Sequence, residues 1–172
     1  GIDNSGIKYI VNPYDEFALE EALRLREKNG GTVTAVTVGT DAAVDVLRTS
    51  LAMGVDKAML VKGDENADSF NVAHNLAKVA KEINPDLILM GRQSIDFDSF
   101  FMASTVAEML EIGSASVVSK LTIDGNTVSA ERDIEGGKET VSMTLPCVIS
   151  CQKGLNDPRY PKLPDIMKAK SK

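Results

Sequence analysis

The chain has 172 residues, 43% of them apolar and 26% charged, which is enough apolar material to close the core of one soluble domain. Its longest apolar runs are only strand-sized, far short of the roughly 20 residues that a membrane span requires, so a transmembrane protein is excluded. One histidine, two cysteines and a net charge of −6 argue against a zinc site, a disulfide framework and a nucleic-acid surface spread over the whole protein.

Helical and β-branched segments alternate through the first two thirds of the chain. The opening helix is predicted to begin at Asn12-Pro13-Tyr14-Asp15, where an Asn cap precedes a Pro in the first turn, and to end at Asn29-Gly30-Gly31. Strands and helices are then expected in turn at Thr32 to Val38, Val44 to Gly54, Lys57 to Val61, Asp68 to Ile83, Leu87 to Met90 and Ser99 to Leu110. This order indicates about four βαβ units in an α/β fold, with a three-layer, doubly wound and mostly parallel sheet of the Rossmann-like type.

Strand-like segments crowd the part of the chain after Gly113. Two of them flank an Asp-Gly turn and predict a hairpin. The four segments are Ser116 to Ile123, Thr127 to Asp133, Thr140 to Leu145 and Cys147 to Cys151. We expect them to extend the same sheet at one edge with antiparallel strands and to bury both cysteines as free thiols.

Three loops are predicted to meet at the edge of the sheet where open α/β proteins bind ligands. They are Asn12 to Asp15, Val38 to Thr40 and Gly91 to Ser99. Gly39 and Gly91 allow a ligand to approach the backbone, and a helix beginning near Ser99 offers free N–H groups to a phosphate, so an adenine nucleotide suits this crevice. The same residue types also commonly serve only as turns and caps, and this alternative stays open; Asp98 is expected to cap the helix.

Familiar catalytic patterns are missing from the sequence. Neither G-x-x-x-x-G-K-[ST] nor G-x-G-x-x-G occurs. Asp96 and Asp98 are paired carboxylates without a set of metal-ligand partners, and His74 lies in a predicted helix, where a structural or surface role is expected. We therefore predict no catalytic residue and no metal site.

Four segments, in order and with matching spacing, resemble the beta subunits of electron transfer flavoprotein. They are Asn12 to Leu25, Leu47 to Lys57, Gly91 to Asp96, and Leu155 to Pro161 together with Ile166 to Lys170. The resemblance implies a non-enzymatic carrier that pairs with an alpha subunit and shuttles electrons from flavin dehydrogenases, such as the acyl-CoA dehydrogenases of fatty acid beta-oxidation, to a quinone reductase. It also implies the cytoplasm of a bacterium or the mitochondrial matrix of a eukaryote, with no nucleic-acid partner and no membrane insertion.

By the same resemblance, the subunit is a scaffold that holds a structural AMP, while FAD is shared and lies mostly on the alpha subunit. The cofactor-binding residues that it implies are Asn12, Pro13, Tyr14, Asp15, Val38, Gly91, Arg92, Gln93, Ser94, Ile95, Asp96, Phe97, Asp98, Ser99, Phe100, Phe101 and Met102. Leu163 is implied as an apolar anchor for partner docking, with Lys168 and Lys170 beside it.

The resemblance divides the chain into a nucleotide-binding domain, 1–152, and a basic recognition loop and tail, 153–172. The tail contains six basic and two acidic residues, a net charge of +4, which leaves −10 for the rest of the chain. The opening strand and the long C-terminal arm of the family are expected to lie outside these 172 residues, so that the chain is part of a longer polypeptide.

One departure from the family pattern affects the implied nucleotide site. After Asp98 the family usually places a small or polar residue and a Gln, where this chain has Phe100-Phe101. Side-chain hydrogen bonds from these two positions to a phosphate are impossible, so only backbone amides remain.

Two alternatives to this function stay open. One is the beta subunit of a bifurcating or nitrogen-fixation-linked electron transfer flavoprotein, which holds FAD in place of AMP. The other is a nucleotide-binding stress or hydrolase-like α/β protein, although the glycine-rich phosphate signature of such a protein is missing.

Overall fold

Helices and strands alternate over the first two thirds of the computed structural model, which describes residues 6, 8–64 and 67–171. The helices are α1 (Pro13–Asn29), α2 (Val44–Met53), α3 (Ser69–Ile83), α4 (Met102–Leu110) and α5 (Leu163–Ala169). The strands are β1 (Thr34–Gly39), β2 (Lys57–Lys62), β3 (Leu87–Gly91), β4 (Gly113–Asp124), β5 (Thr127–Ile134), β6 (Gly137–Thr144) and β7 (Cys147–Cys151). The predicted α/β class is confirmed.

The strands form two hydrogen-bonded groups within this part of the chain. Strands β1 and β2 pair in parallel, and the other group has the order β3-β7-β4-β5-β6. In that group β7 is parallel to β3 and to β4, whereas the β4–β5 and β5–β6 pairs are antiparallel. The mostly parallel sheet with added antiparallel strands is therefore confirmed, although β1 and β3 are not hydrogen-bonded to each other.

Strand β7 lies in the middle of its sheet and not at an edge. All five of its residues are buried, because it lies between two parallel neighbours and is covered on both faces. The prediction that all the late strands extend one edge is wrong for this strand. It holds for the antiparallel strands β5 and β6.

The two faces of β7 are covered by different helices, which gives the three layers. On one face Cys147, Ile149 and Cys151 pack with Ala18 of α1, and on the other Val148 packs with small residues of α3 and α4. Both cysteines are buried free thiols, as predicted, and burial raises the pKa of each.

Helix α4 begins at Met102, three residues later than predicted. Asp98 has a φ of 51°, in the left-handed region, and an isolated bridge joins Ser94 to Ser99, so the chain turns back before the helix starts. The residue that precedes α4 is Phe101, and Asp98 is not its cap. Of the helices in residues 6, 8–64 and 67–171, none is long and apolar enough to cross a membrane.

Candidate functional site

The amino end of α1 and the carboxyl end of β3 meet in a direct contact. The Gly91 N–H donates a hydrogen bond of 2.6 Å to Asp15 Oδ1. A Cβ atom on Gly91 would lie 2.7 Å from Asp15 N and 2.7 Å from the carbonyl carbon of Tyr14, so no side chain fits there. A glycine at the end of β3 is thus what permits α1 to begin against the strand.

Asn12 joins the same two elements from the other side of Asp15. Its Nδ2 donates to Asp15 Oδ2 at 3.0 Å and to the backbone carbonyl of Gln93 at 2.8 Å. Asn12 does precede α1 as predicted, with Pro13 at the first helical position, but its side chain makes no capping bond to the helix backbone. It links the α1 start to the loop after β3.

The Asp15 carboxyl lies in a poorly solvated position. Burial raises the pKa of Asp15, and the hydrogen bonds from Asn12 and Gly91 offset only part of that increase. Burial also raises the pKa of the adjacent Glu16. The start of α1 therefore places two carboxyl groups where the charged form is disfavoured.

Arg92 is held between two aromatic rings. Its guanidinium carbon lies 5.1 Å from the centroid of the Tyr14 ring and 5.2 Å from that of Phe100. Its Nε donates to Gln93 Oε1 at 2.7 Å and its Nη1 to Gln152 Oε1 at 3.2 Å. With this fixed position, the arginine connects α1, the loop after β3 and the end of β7.

The loop from Ser94 to Phe101 exposes both apolar and acidic side chains and buries Ser99. Gln93 Nε2 donates to Asp98 Oδ1 at 2.6 Å, which fixes the turn that precedes α4. Four apolar side chains of this loop are exposed: Ile95, Phe97, Phe100 and Phe101. Ser99 is only 6% exposed, and its Oγ has no hydrogen-bond partner, as is also true of the buried Oδ1 of Asn12.

Most of the predicted cofactor-binding residues come together at this place, with one exception. The segment 12–15 and the segment 91–102 are joined by the contacts above, and Met102 opens α4. Val38, in contrast, lies in β1 and packs closely against Gly63. A Cβ atom added to Gly63 would lie 2.8 Å from Val38 Cγ1. Its strand pairs with β2 and is not hydrogen-bonded to the sheet that holds β3.

Two residues of this network were not predicted from the sequence. The Cys151 carbonyl accepts a hydrogen bond from the Arg92 N–H at 3.0 Å, and Gln152 binds the Arg92 guanidinium. Both follow from the position of β7 beside β3. The signal in the sequence is the apolar run before Gln152, which is typical of a strand buried on both faces.

Of the predicted docking residues, Leu163 and Lys168 lie on α5, the last described helix, and Lys170 directly follows it. Leu163 opens α5 and is 71% exposed, and Met167 one turn later is 67% exposed. Lys168 and Lys170 are exposed and form no ion pair within the described part of the chain. Arg159, which also contributes to the basic charge of the tail, is instead paired with Glu20 and Glu27 of α1.

A comparison with known proteins identifies the family. A family model described as "Electron transfer flavoprotein domain" matches residues 1–172. This chain belongs to the electron transfer flavoprotein family. The resemblance that the four sequence segments indicated is confirmed.

Individual relatives place this electron transfer flavoprotein chain with the beta subunits. "Electron transfer flavoprotein subunit beta" of Bacillus subtilis (strain 168) is 47% identical over 174 residues, which cover 99% of this chain and 68% of the relative. The protein of that name from Bradyrhizobium diazoefficiens is 41% identical over 173 residues, covering 100% and 70%. "Electron transfer flavoprotein subunit beta, mitochondrial" of Oryza sativa subsp. japonica is 41% identical over 177 residues, also covering 100% and 70%.

Proposed function

We propose that this chain is the scaffold subunit of an electron carrier, holds a structural AMP and pairs with an FAD-carrying alpha subunit. The observation that carries the proposal is the contact between Asp15 and Gly91, which brings the 12–15 and 91–102 loops to one place. Ligands of open α/β sheets bind beyond the carboxyl ends of strands, and Gly91 ends β3. Val38 remains part of the proposed site, near the carboxyl end of β1.

The residues at this place include polar groups that suit a polar ligand. Ser99 Oγ and Asn12 Oδ1 are buried without partners, and such atoms are normally satisfied by a ligand or by water. A hydroxyl can donate to a phosphate or a ribose oxygen, and an amide oxygen can accept from an adenine amino group or a ribose hydroxyl. The backbone N–H groups that open α4 add donors that suit a phosphate.

Phe100 and Phe101 change how the phosphate is held. Neither side chain can donate a hydrogen bond, so the phosphate depends on Ser99 and on backbone N–H groups. The carboxylates of the loop, Asp96 and Asp98, disfavour an anion nearby. In the proposed site, positions 100 and 101 therefore offer the phosphate only backbone N–H groups.

Electron transfer itself resides in the flavin. FAD, when bound mostly on the alpha subunit, supplies the electron-transfer chemistry, and no side chain of this chain is assigned a catalytic role. The chain holds the nucleotide, orients the alpha subunit and presents a surface to redox partners. The compartment we propose is the cytoplasm of a bacterium, or the mitochondrial matrix if the source is a eukaryote.

The docking surface that we propose is an apolar anchor with basic neighbours. Leu163 is the anchor, and Lys168 and Lys170, which form no ion pair with a described residue, add positive charge near it. This charge fits an apolar pocket with an acidic rim on a flavin dehydrogenase, such as an acyl-CoA dehydrogenase. Reduced carrier then docks on a quinone reductase. Weak electron-transfer contacts of this kind need little buried area.

Nucleotide release tests the AMP proposal. The full-length beta subunit, co-purified with its alpha subunit, is denatured by heat, and the released nucleotides are measured by mass spectrometry. We expect one AMP and one FAD per heterodimer. Two FAD and no AMP would reject the AMP proposal in favour of the bifurcating type of carrier.

A single substitution tests the docking proposal. Leu163→Ala in the heterodimer is expected to raise the KM of a purified acyl-CoA dehydrogenase for the carrier by about tenfold, because an exposed anchor residue carries much of the binding energy of a small interface. Unchanged electron transfer with every dehydrogenase tested would reject Leu163 as the anchor.

A further inference from the structure

The guanidinium and the backbone N–H of Arg159 are hydrogen-bonded to two glutamates of α1. Its Nε donates to Glu20 Oε2 at 2.8 Å and its Nη1 to Glu27 Oε1 at 2.6 Å. Its Nη2 donates to both carboxylates, at 3.1 Å to Glu20 and 3.2 Å to Glu27, and its backbone N–H reaches Glu20 at 3.0 Å. Only a planar guanidinium has donors arranged to bind two carboxylates in this way.

Arg159, Glu20 and Glu27 together form what we call the clamp, and Glu20 is its buried carboxylate. It is 3% exposed, and its Oε1 also accepts a hydrogen bond of 2.7 Å from Arg24. Burial alone would raise the pKa of Glu20, but the bonds from Arg159 and Arg24 outweigh burial and lower it. A buried carboxylate that is fully hydrogen-bonded allows few alternative positions for its partner.

The clamp sits immediately before the exposed apolar residues of the tail. Tyr160, next to Arg159, is 93% exposed, and Leu163 and Met167 follow at 71% and 67%. At the other end of this segment, Ala169 is buried where α5 packs against α2. The apolar side chains therefore project from a segment that is fastened at both ends.

The positive charge of Arg159 is paired with Glu20 and Glu27 and does not add to the charge of the docking surface. Lys162, Lys168 and Lys170 form no ion pair in residues 6, 8–64 and 67–171. The positive charge near Leu163 therefore comes from these three lysines. Arg159 thus differs from the lysines of the same tail in what it contacts.

We propose that Arg159 is a positioning residue for docking: by binding Glu20 and Glu27 it holds the 159–163 segment so that Leu163 is presented to an acidic-rimmed apolar pocket of a flavin dehydrogenase. The inference rests on the proposed docking function. A segment that is already ordered loses less conformational freedom on binding, so the clamp lowers the entropic cost of each encounter.

The test uses the full-length heterodimer and a pair of substitutions that avoids an unpaired buried charge. Glu20→Gln with Arg159→Met removes the clamp, retains the length of the Arg stem and leaves an amide oxygen at position 20 that can still accept from Arg24. The control is Glu139→Gln with Arg132→Met, which removes an Arg–Glu pair from the β5–β6 hairpin. The readouts are KM and kcat of an acyl-CoA dehydrogenase for the carrier, the flavin absorbance spectrum, and the melting temperature.

We expect the clamp variant to raise KM by about fivefold to tenfold at unchanged kcat and flavin spectrum, and the control pair to leave KM unchanged. Arg159→Lys should fall in between, since one ammonium cannot bind both carboxylates as a guanidinium does. If Leu163→Ala raises KM but the clamp variant does not, the positioning role is overturned while docking at Leu163 stands. A fall in kcat at unchanged KM also overturns it. If neither variant changes KM, the docking proposal fails and the positioning role fails with it.

Discussion

Gly91 and Asp15 are 76 positions apart in the chain and are joined by a hydrogen bond of 2.6 Å between the Gly91 N–H and Asp15 Oδ1. The end of β3 and the first turn of α1 therefore form one structural unit. The contact excludes any side chain at position 91, because backbone atoms of Tyr14 and Asp15 occupy the space. Small changes at this junction should affect the whole proposed site.

Gly91→Ala tests this junction. The new Cβ would lie 2.7 Å from Asp15 N, and since backbone atoms cannot move away cheaply, α1 must shift from β3. Overpacking of this kind costs roughly 1–3 kcal/mol and should lower the Tm of the heterodimer by several degrees in a calorimetric scan. Gly39→Ala is the control, because its Cβ would meet only Ala43 Cβ at 3.4 Å. Equal effects of the two substitutions would contradict the importance of the junction.

Asp15→Asn should alter how stability depends on pH. Burial raises the pKa of Asp15 above its ordinary value of 3.8, so the folded state holds this proton more tightly than the unfolded state does. Asp15 then favours folding below that ordinary pKa, and this contribution is lost as the pH rises through the raised value. Relative to the wild type, the Tm of the Asn variant should therefore rise from about pH 4 to about pH 7. A difference in Tm that is constant across this range would contradict the prediction.

Phe101→Gln should tighten AMP binding. A Gln amide can donate to the phosphate, and a hydrogen bond to a charged group contributes roughly 1.5–3 kcal/mol, which predicts about tenfold or greater affinity. The measurement is isothermal titration of AMP into nucleotide-stripped heterodimer. Phe70→Gln, at a position 61% exposed on α3 and outside the proposed site, is the matched control. Equal affinity in the two variants would argue against a phosphate beside residue 101.

Local signals predicted the helices and the hairpin well. The Asn-Pro start and Gly-Gly end of α1 act within one helical turn, and the Asp-Gly turn fixes the strands on either side of it. The start of α4 was predicted three residues early, because the left-handed Asp98, its hydrogen bond from Gln93 and the Ser94–Ser99 bridge are contacts that spacing does not reveal.

Long-range order was harder to predict. The insertion of β7 between β3 and β4 depends on pairing between distant segments, although its mostly apolar pattern was a usable sign of a central strand. Helix α5 has only seven residues and follows Pro-rich sequence, so its apolar period is too short to recognise. The links between α1 and the tail left one trace in the sequence, which is a pair of glutamates within the apolar stripe of α1: Glu20 binds Arg159 and Glu21 binds Asn156.

Asn156 gives a test of the second link between α1 and the tail. Its side chain is buried, and its Nδ2 donates to the Phe17 carbonyl at 3.0 Å and to Glu21 Oε2 at 2.9 Å. Asn156→Asp removes both donors and sets a second carboxylate against Glu21. We expect a loss of roughly 3 kcal/mol or more in the free energy of unfolding, measured by urea denaturation of the heterodimer.

Two further variants separate this local effect from the added charge alone. Asn126→Asp adds the same charge at an exposed turn and should change stability by less than about 0.5 kcal/mol. Glu21→Gln combined with Asn156→Asp should recover much of the loss, because the Gln amide can donate to the new carboxylate and the repulsion disappears. If Asn156→Asp were no worse than Asn126→Asp, the bond to Glu21 would not be holding the tail against α1.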